Sequence, residues 1–357
     1  MKRTFVIAEA GVNHNGSLGQ AELLVDVAAD AGADAVKFQS FKAENVVTPQ
    51  ASKAAYQVET TGGGQSQLEM LQGLELSMLD HEKLAAHCSD RGIQFLSTPF
   101  DLPSVDFLGH ELDMPMFKIA SGEITNAPMM MKIASFGRPI IMSTGMSDLD
   151  DIRSALGVVA HGLTGAREQP SADAFRRSLE SKEGRESLEA HVTLLQCTTA
   201  YPTPFADINL RAMDLLEASF GLAVGLSDHS IGTSIPIAAV ARGARIIEKH
   251  FTLDRSLPGP DHQASLEPDE LVAMVDGIRS VETALGDGSK SPRASEVVNQ
   301  DVARRSLVAA TSIKKGDVFD DANLTTKRPG TGISSILYYD WLGTTSGADY
   351  HEGELIH

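Results

Sequence analysis

Two histidines, His229 and His250, each stand at the end of a short apolar run, in the segments GLSDHS and IIEKHFT. One stretch with helical spacing separates the two runs, so the imidazoles would end adjacent strands and face one centre. Two imidazoles so placed suit a divalent metal ion that keeps further positions open to substrate or water. A lone histidine on an apolar run is more often a buried structural residue, but two at equivalent positions favour a metal or catalytic role.

Two lysines occur in similar places, Lys37 in DAVKFQS and Lys118 in MFKIASGE. A lysine buried there without a negative partner would cost several kcal/mol, so each position predicts an anionic neighbour. One interpretation is a phosphate or carboxylate group of a substrate; the other is a structural ion pair with Glu9 or Glu123. Further polar residues end the same apolar runs: Gln39, Ser97, Thr98, Ser121, Ser143, Thr144, Thr198, Thr199, Ser227, Asp228 and Glu248.

The elements that must position these residues are eight apolar runs rich in β-forming residues. They are TFVIAEAG, AVKFQS, QFLSTPF, MFKIAS, PIIMST, VTLLQCT, AVGLSDHS and RIIEKHFT, and segments with helical spacing separate most of them. Nearly continuous apolar character predicts parallel strands buried on both faces. Eight such units predict an α/β fold, a (β/α)8 TIM barrel whose strands end at one mouth. A doubly wound open sheet is the alternative, but the number of units and the lack of GxGxxG after the first strand favour the barrel.

Two insertions and a change of pattern define the domain organisation. The insertion after the second strand would lie over the mouth and cover a ligand, whereas the charged insertion at 161–190 would lie at the opposite face as a solvated surface helix. We predict a barrel over residues 1–286, a linker at 287–296 and a small β-rich domain at 297–357. About 60 residues are marginal for independent stability, so the small domain is expected to pack on another surface.

Composition excludes several classes of function. The 357-residue chain has a net charge of -18, which disfavours binding to nucleic acid. No apolar run is long enough for a membrane span, and the N-terminus does not fit a signal peptide, so we expect a soluble cytoplasmic protein. The two cysteines, Cys88 and Cys197, are expected to be reduced.

Four further residues lie in loops that could approach the mouth. SLPGPDH would present Asp261 and His262, and His14 in GVNHNG either faces the mouth or stabilises a turn. Arg328 in TKRPGTG is by default a surface arginine, but it would suit carboxylate or amide oxygens if the small domain reaches a barrel mouth.

Ten motifs in order along nearly the whole chain resemble the sialic acid synthase family, bacterial enzymes that make nonulosonic acids. They are IAEAGVNHNGS, DAVKFQ, FLSTPFD, KIASGEITN, STGMS, CTTAYPTP, GLSDHS, IEKHFTLD, GPDHQASLEPDE and TKRPGTGIS. The C-terminal segment is similar to the antifreeze-like (SAF) domain. Within the family the motifs look most like the N,N'-diacetyllegionaminate synthases.

The resemblance implies a metal-assisted condensation of phosphoenolpyruvate with an N-acetylated aldohexose, releasing phosphate. It also implies a domain-swapped homodimer in which the SAF domain of one subunit covers the barrel mouth of the other. By motif, His229 and His250 would bind the metal, with Mn²⁺ expected and Co²⁺ or Mg²⁺ as alternatives. Phosphoenolpyruvate would be held by Lys37, Thr98, Lys118, Ser121, Ser143 and Ser227. The sugar would meet Glu9, Gln39, Thr199, Tyr201, Asp261 and the partner subunit's Arg328, and Glu123 would transfer a proton.

Other readings remain open at the level of sequence. The sugar would be 2,4-diacetamido-2,4,6-trideoxymannose, or N-acetylmannosamine if the chain is an N-acetylneuraminate synthase. A barrel metallohydrolase would explain the histidines and carboxylates, but it would leave Lys37 and Lys118 without an anionic substrate. A sugar-binding or ice-binding protein built around the terminal domain is the non-enzymatic alternative.

Overall fold

The structure is a computed structural model that describes residues 3–357. The chain divides into two compact units, Met1–Gly286 and Asp287–His357. Within the described range, every helix is too short or too polar to cross a bilayer.

All eight predicted strands form one parallel sheet in the first unit. They are β1 Phe5–Gly11, β2 Ala35–Ser40, β3 Gln94–Pro99, β4 Phe117–Ile119, β5 Ile140–Ser143, β6 Val192–Cys197, β7 Ala223–Asp228 and β8 Ile246–His250. Their order is β3-β2-β1-β8-β7-β6-β5-β4, so the first and last strands are hydrogen-bonded neighbours. Because β3 and β4 also lie in contact, the sheet is a nearly closed barrel and the predicted TIM-barrel fold is confirmed.

The described part of this unit, residues 3–286, contains thirteen α-helices. They are α1 Leu18–Asp30, α2 Ala43–Val46, α3 Ala55–Thr61, α4 Gln67–Gln72, α5 Met78–Arg91, α6 Leu102–Asp106, α7 Ala127–Ala134, α8 Leu149–Leu163, α9 Ala172–Glu180, α10 Lys182–His191, α11 Ala212–Phe220, α12 Ser234–Ala241 and α13 Pro268–Ala284.

Local chemistry fixes where these elements begin and end, as α5 illustrates. The Ser77 side chain accepts a hydrogen bond from the backbone N–H of Asp80 at 3.1 Å, which caps the first turn. Gly92 ends the helix with φ +69°, a left-handed conformation that other residues adopt at a cost. β3 begins two residues later, and the carboxyl end of this strand lies at the mouth of the barrel.

The first insertion, between β2 and α5, carries α2, α3 and α4. Its apolar side chains Met70 and Leu74 pack with Val12 and Phe41, which follow β1 and β2. This small cluster is separate from the main core around the barrel. The insertion therefore lies at the mouth, as predicted.

The charged insertion is more than a solvated helix, because α9 and α10 pack on α8. Buried His161 of α8 bonds through Nδ1 to Ser178 Oγ at 3.0 Å, and its ring lies 5.3 Å from that of Phe175. Gly157 permits this contact, since a Cβ there would lie 2.9 Å from the Phe175 carbonyl oxygen. The acidic and basic residues of α9 and α10 face outward. Because they outnumber the few apolar residues that pack on α8, the apolar pattern is hard to recognise in the sequence.

The second unit contains a two-stranded antiparallel sheet, β9 Ser306–Ala309 with β10 Leu324–Lys327. It also holds helices α14 Ala294–Ala303 and α15 Tyr338–Trp341. Its own core is formed by Leu307, Ala309, Ile313, Phe319, Leu324, Tyr350 and Ile356. Helix α14 was not predicted and begins inside the range assigned to the linker. It buries no residue, although Val297, Val298 and Val302 recur at helical spacing in the sequence and stay exposed in the structure.

Candidate active site

One cavity at the carboxyl ends of the barrel strands brings together every predicted site residue except Glu123 and Arg328. Its lining includes Glu9, Lys37, Gln39, Thr98, Lys118, Ser121, Ser143, Thr199, Tyr201, Ser227, His229, His250 and Asp261. These residues come from all parts of the barrel sequence, and the parallel strands make them neighbours.

A buried ion pair forms part of this site. Lys37 Nζ lies 2.6 Å from Glu9 Oε2 and donates a hydrogen bond to Thr98 Oγ1 at 2.9 Å. Lys37 and Glu9 are both only 2% exposed. The structural ion pair foreseen for Lys37 is therefore present, and it lies within the cavity rather than apart from it.

The second carboxylate of this cluster is Glu248, which was noted at a strand end but not assigned to the site. Its Oε1 lies 3.4 Å from Lys118 Nζ and accepts a hydrogen bond from Ser227 Oγ at 2.9 Å, and its Oε2 lies 3.5 Å from Lys37 Nζ. The spacing carried a signal, because Glu248 and His250 are two residues apart in β8 and so project from the same face. Glu248, not Glu123, is the partner of Lys118.

The two carboxylates have opposite electrostatic environments. Burial raises the pKa of Glu9 to about 7, against the opposing effect of Lys37. Burial also disfavours ionisation of Glu248, but Lys118 and Lys37 outweigh it and lower the pKa of Glu248 to about 2. Near neutral pH, Glu248 keeps its charge while Glu9 can gain or lose a proton.

The two predicted ligand histidines face each other, with ring centroids 5.5 Å apart. His229 Nδ1 donates a hydrogen bond to the Thr198 carbonyl oxygen at 2.8 Å, so Nε2 is the nitrogen that could bind a metal. Burial disfavours protonation of His229, but Cys197 and the Thr198 carbonyl oxygen outweigh it and raise the pKa of the ring. His250 Nδ1 is buried and has no hydrogen-bond partner within residues 3–357. Burial lowers the pKa of His250 well below its usual value, so the ring is neutral at pH 7, as a metal ligand must be.

Gly11 makes room for the second imidazole. It has φ +54°, and a Cβ at this position would lie 3.1 Å from His250 Cε1. Both the backbone conformation and the close approach require glycine at the end of β1.

Aromatic rings and an acid form another side of the cavity. The Tyr201 ring lies 4.1 Å from the ring of His229, and Tyr56 of the first insertion stacks on Tyr201 at 5.1 Å. Asp261 is buried beside them, and burial raises its pKa to about 6 in spite of the nearby His229. Tyr56 was not predicted, because nothing in the sequence of the insertion specifies which side chain turns inward.

Residues around the site would fit a divalent cation. The imidazoles of His229 and His250 are suitable donors, and His250 Nδ1 has no hydrogen-bond partner within residues 3–357. Residues 3–357 contain no cluster of three or more His, Cys, Asp or Glu that would form a complete protein cage for a metal. Two imidazole donors would leave further coordination positions of a cation to water or substrate.

Several residues considered from the sequence do not line this cavity: Glu123, His14, His262, Arg328 and the strand-end residues Ser97, Thr144, Thr198 and Asp228. Glu123 accepts a hydrogen bond from Asn126 Nδ2 at 2.8 Å, beside the first turn of α7. His14 accepts the Gly16 N–H at 3.0 Å, which corresponds to the turn-stabilising alternative.

His262, expected at the mouth, is instead fully buried. It lies 2.7 Å from Thr252 Oγ1 and 3.3 Å from Asn15 Oδ1, so it holds loops together. Arg328 follows β10 in the second unit and is exposed.

Comparison with known families identifies the chain. The NeuB family model matches residues 24–290, and the SAF domain model matches residues 304–357. The chain belongs to the NeuB family. The family predicted from the motifs is therefore confirmed, and the second unit holds the region that matches the SAF domain.

Curated relatives of this NeuB-family chain cover it almost completely. It is 50% identical over 356 residues to a protein of Campylobacter jejuni named N,N'-diacetyllegionaminic acid synthase, covering 100% of this chain and 99% of the relative. A protein of the same name in Legionella pneumophila is 44% identical, with 92% and 86% of the two chains covered.

A solved structure supports the same grouping. The crystal structure of N-acetylneuraminic acid (sialic acid) synthetase from Leptospira borgpetersenii, in complex with citrate, superposes with a TM-score of 0.66. It is 32% identical and covers 84% of this chain and 90% of its own.

Proposed function

We propose that this protein condenses phosphoenolpyruvate with 2,4-diacetamido-2,4,6-trideoxymannose and water to give N,N'-diacetyllegionaminate and phosphate. The observation that carries the proposal is the meeting of Lys37, Lys118, His229 and His250 in one cavity. The names of the relatives that are 50% and 44% identical support this sugar. The alternative, an N-acetylneuraminate synthase, has weaker support, since the human N-acetylneuraminate-9-phosphate synthase is 34% identical.

Phosphoenolpyruvate would bind at the lysines and hydroxyls. The groups are Lys37, Thr98, Lys118, Ser121, Ser143 and Ser227, which suit phosphate and carboxylate oxygens. Ser143 Oγ is buried and lacks a hydrogen-bond partner within the described chain, so a ligand oxygen would satisfy it. A metallohydrolase would give the two lysines no comparable anion.

A divalent cation, expected to be Mn²⁺ with Co²⁺ or Mg²⁺ as alternatives, would be held by His229 and His250. When bound, such a cation polarises an aldehyde oxygen and stabilises the negative charge that develops on it. Asp261, Gln39, Thr199 and Tyr201 line the same cavity and would orient the sugar. The buried site would keep both substrates aligned, which is a large part of the acceleration expected for a two-substrate reaction.

The reaction requires a new carbon–carbon bond and the loss of phosphate. The enol carbon C3 of phosphoenolpyruvate attacks C1 of the aldose, and water adds to the adjacent carbon C2. The C2–O bond to phosphate then breaks as the tetrahedral intermediate collapses. Lys37 and Lys118 would balance negative charge throughout.

Water must lose a proton during this sequence, and we assign its acceptance to Glu9. Glu9 lines the cavity, and burial raises its pKa to about 7, a value suited to proton transfer at neutral pH. Glu123, the residue first expected in this role, lies outside the lining residues. Its contact with Asn126 leaves it a part in positioning α7.

The chain is further inferred to act in the cytoplasm as a homodimer, with the SAF domain of one subunit over the partner's cavity. Support comes from large exposed apolar side chains in the second unit: Val298, Val302, Ile336 and Tyr339 are 72%, 68%, 83% and 82% exposed. Exposed apolar groups of this extent indicate a surface that another chain covers. Arg328 of the same unit is exposed and would reach the sugar of the partner subunit.

Replacement of this arginine tests the dimer proposal. Arg328→Ala should raise the KM for the aldose about tenfold or more and leave the KM for phosphoenolpyruvate near its original value, because guanidinium hydrogen bonds to the sugar are lost. Steady-state phosphate release with each substrate varied in turn measures both constants. Equal increases in the two values would contradict the assignment, and Lys327→Ala is the matched control at the neighbouring position.

Phosphate release with defined substrates tests the function itself. With Mn²⁺ and phosphoenolpyruvate, the protein should release phosphate only when an aldose is added. Turnover should be faster with 2,4-diacetamido-2,4,6-trideoxymannose than with N-acetylmannosamine, and mass spectrometry should show a product containing both substrates. Release without an aldose would refute the synthase, and a preference for N-acetylmannosamine would favour the alternative sugar.

A further inference from the structure

One wall of the active-site cavity is apolar and comes mainly from the first insertion. We call Val12, Met70, Leu71, Leu74 and Phe100 the mouth cluster; all five line the cavity and pack together. Met70 and Leu74 are 6% and 8% exposed. The charged groups Lys37, Lys118, Glu9 and Glu248 line the same cavity, so it has both a charged part and an apolar part.

Neither phosphoenolpyruvate nor water explains the mouth cluster. Phosphoenolpyruvate is a small trianion whose oxygens need cations and hydrogen-bond donors, and the mouth cluster offers no such groups. The aldose is the remaining substrate, and it is the only one that carries methyl groups. An apolar wall of this extent in a polar cavity therefore points to the sugar.

We propose that the mouth cluster is the subsite for the C6 methyl group of the aldose and sets the preference for a 6-deoxy sugar. This inference rests on the proposed function and adds the residues that select its substrate. Met70 belongs to the same packed cluster as Val12 and Leu74, and its sulfur accepts a weak hydrogen bond from Thr61 Oγ1 at 3.7 Å. That contact ties α4 to α3 and fixes the side chain.

The physical basis is the cost of leaving a hydroxyl unpaired against apolar atoms. A methyl group at C6 gains by contact with Met70, Leu71 and Leu74, whereas a hydroxyl there gives up its hydrogen bonds to water and finds no partner. Discrimination of this kind is typically about 10- to 100-fold in kcat/KM. Selectivity at C6 thus comes from the insertion, whereas the chemistry comes from the strand ends.

The experiment compares two aldoses that differ only at C6. Phosphate release is measured with 2,4-diacetamido-2,4,6-trideoxymannose and with its 6-hydroxy analogue, 2,4-diacetamido-2,4-dideoxymannose, for the native protein and for Met70→Gln. Glutamine has nearly the shape of methionine but offers an amide to a hydroxyl. The ratio of kcat/KM values, 6-deoxy over 6-hydroxy, should fall about tenfold in Met70→Gln, and the KM for phosphoenolpyruvate should stay the same.

Two matched variants separate this subsite from a structural effect. Met78→Gln makes the same chemical change on an exposed side chain at the start of α5 and should leave the ratio unchanged. Met70→Leu keeps an apolar wall and should retain most of the native preference. Leu71→Asn, at a partly exposed position, repeats the test if Met70→Gln does not fold.

The outcomes distinguish this inference from the function on which it rests. No phosphate release by the native protein with any aldose would refute the synthase itself. Release with a ratio that Met70→Gln and Leu71→Asn leave unchanged, or equal losses with both sugars, would refute only the subsite. A ratio that changes only when N-acetylmannosamine is the comparison would move the methyl contact to the C4 acetamido group and overturn the assignment to C6.

Discussion

Two buried ion pairs lie one residue apart on β8, and they differ in how completely they are satisfied. Glu248 faces the cavity, where it meets Lys118. Lys249 projects the other way, as alternation along a strand requires, and lies 2.7 Å from Asp228 Oδ2. Asp228 also accepts hydrogen bonds from the backbone N–H and the hydroxyl of Ser230, each at 3.0 Å, and Lys249 donates to the Ser230 carbonyl oxygen.

In the Lys249–Asp228 pair the charged groups satisfy each other, whereas the cavity-side cluster around Glu248 leaves neighbouring polar atoms without partners in the described chain. Lys249 needs no ligand, because its ammonium group contacts the Asp228 carboxylate and the Ser230 carbonyl oxygen. On the cavity side, Ser143 Oγ and His250 Nδ1 lack partners in the chain from residue 3 to its end. Burial and charge are therefore poor indicators of function by themselves. Unsatisfied polar atoms that converge on a cavity are the better indicator.

We expect the largest loss of activity from a substitution on the cavity side. His250→Ala should lower turnover about 1,000-fold or more, because a bound cation contributes several kcal/mol to the transition state. Circular dichroism and the melting temperature should remain close to native. Dialysis of the native protein against a chelator should reproduce the loss, and Mn²⁺ should restore activity only to the native protein. Retained metal-dependent turnover in His250→Ala would show that the ligand is another residue.

Removal of one lysine from each pair should give opposite results. Lys249→Met leaves Asp228 buried and unpaired, so the free energy of unfolding should fall by about 3–5 kcal/mol in urea titrations. Lys118→Met leaves Glu248 in contact with Lys37 and Ser227, and the stability loss should be smaller. Its kcat/KM for phosphoenolpyruvate, in contrast, should fall about 100-fold or more. Similar stability losses in both variants would contradict the proposal that Lys249 is structural and Lys118 functional.

The smallest expected effect comes from two serines. Ser230→Ala removes a hydrogen bond to Asp228 and should cost about 1 kcal/mol of stability with activity retained. Ser143→Ala removes a hydroxyl that has no partner within residues 3–357, so stability should hold while the KM for phosphoenolpyruvate rises several-fold. Thermal melts and phosphate-release kinetics on the same preparations measure both. A loss of stability in Ser143→Ala would mean that the hydroxyl is structural.

Most of the barrel was predictable from sequence because each β/α unit is local. A run such as AVKFQS, its helix and the closing glycine lie within a few tens of residues, and parallel strands must end together at one mouth. Lys37, Lys118, His229 and His250 could therefore be grouped before any distances were known. The ion-pair partners of these residues were harder to predict. For Lys118, Glu123 is close in sequence, but Glu248 is close in space.

The residues that were misplaced lie in loops. His262 and Glu123 follow strands closely enough to be expected at the mouth, yet hydrogen bonds to Thr252 and Asn126 hold them elsewhere. Met70 and Tyr56 were not foreseen, since the inward side of a short insertion helix is set by what it packs against.

The sequence by itself determined the barrel, the family and the types of chemical group at the strand ends, because these depend on periodicity and short-range geometry. Only the tertiary structure decided which carboxylate meets which lysine, which polar atoms stay unpartnered, and that an apolar wall faces the charged groups. Those features depend on contacts between residues about 210 positions apart, as between Lys37 and Glu248, and no local pattern specifies them.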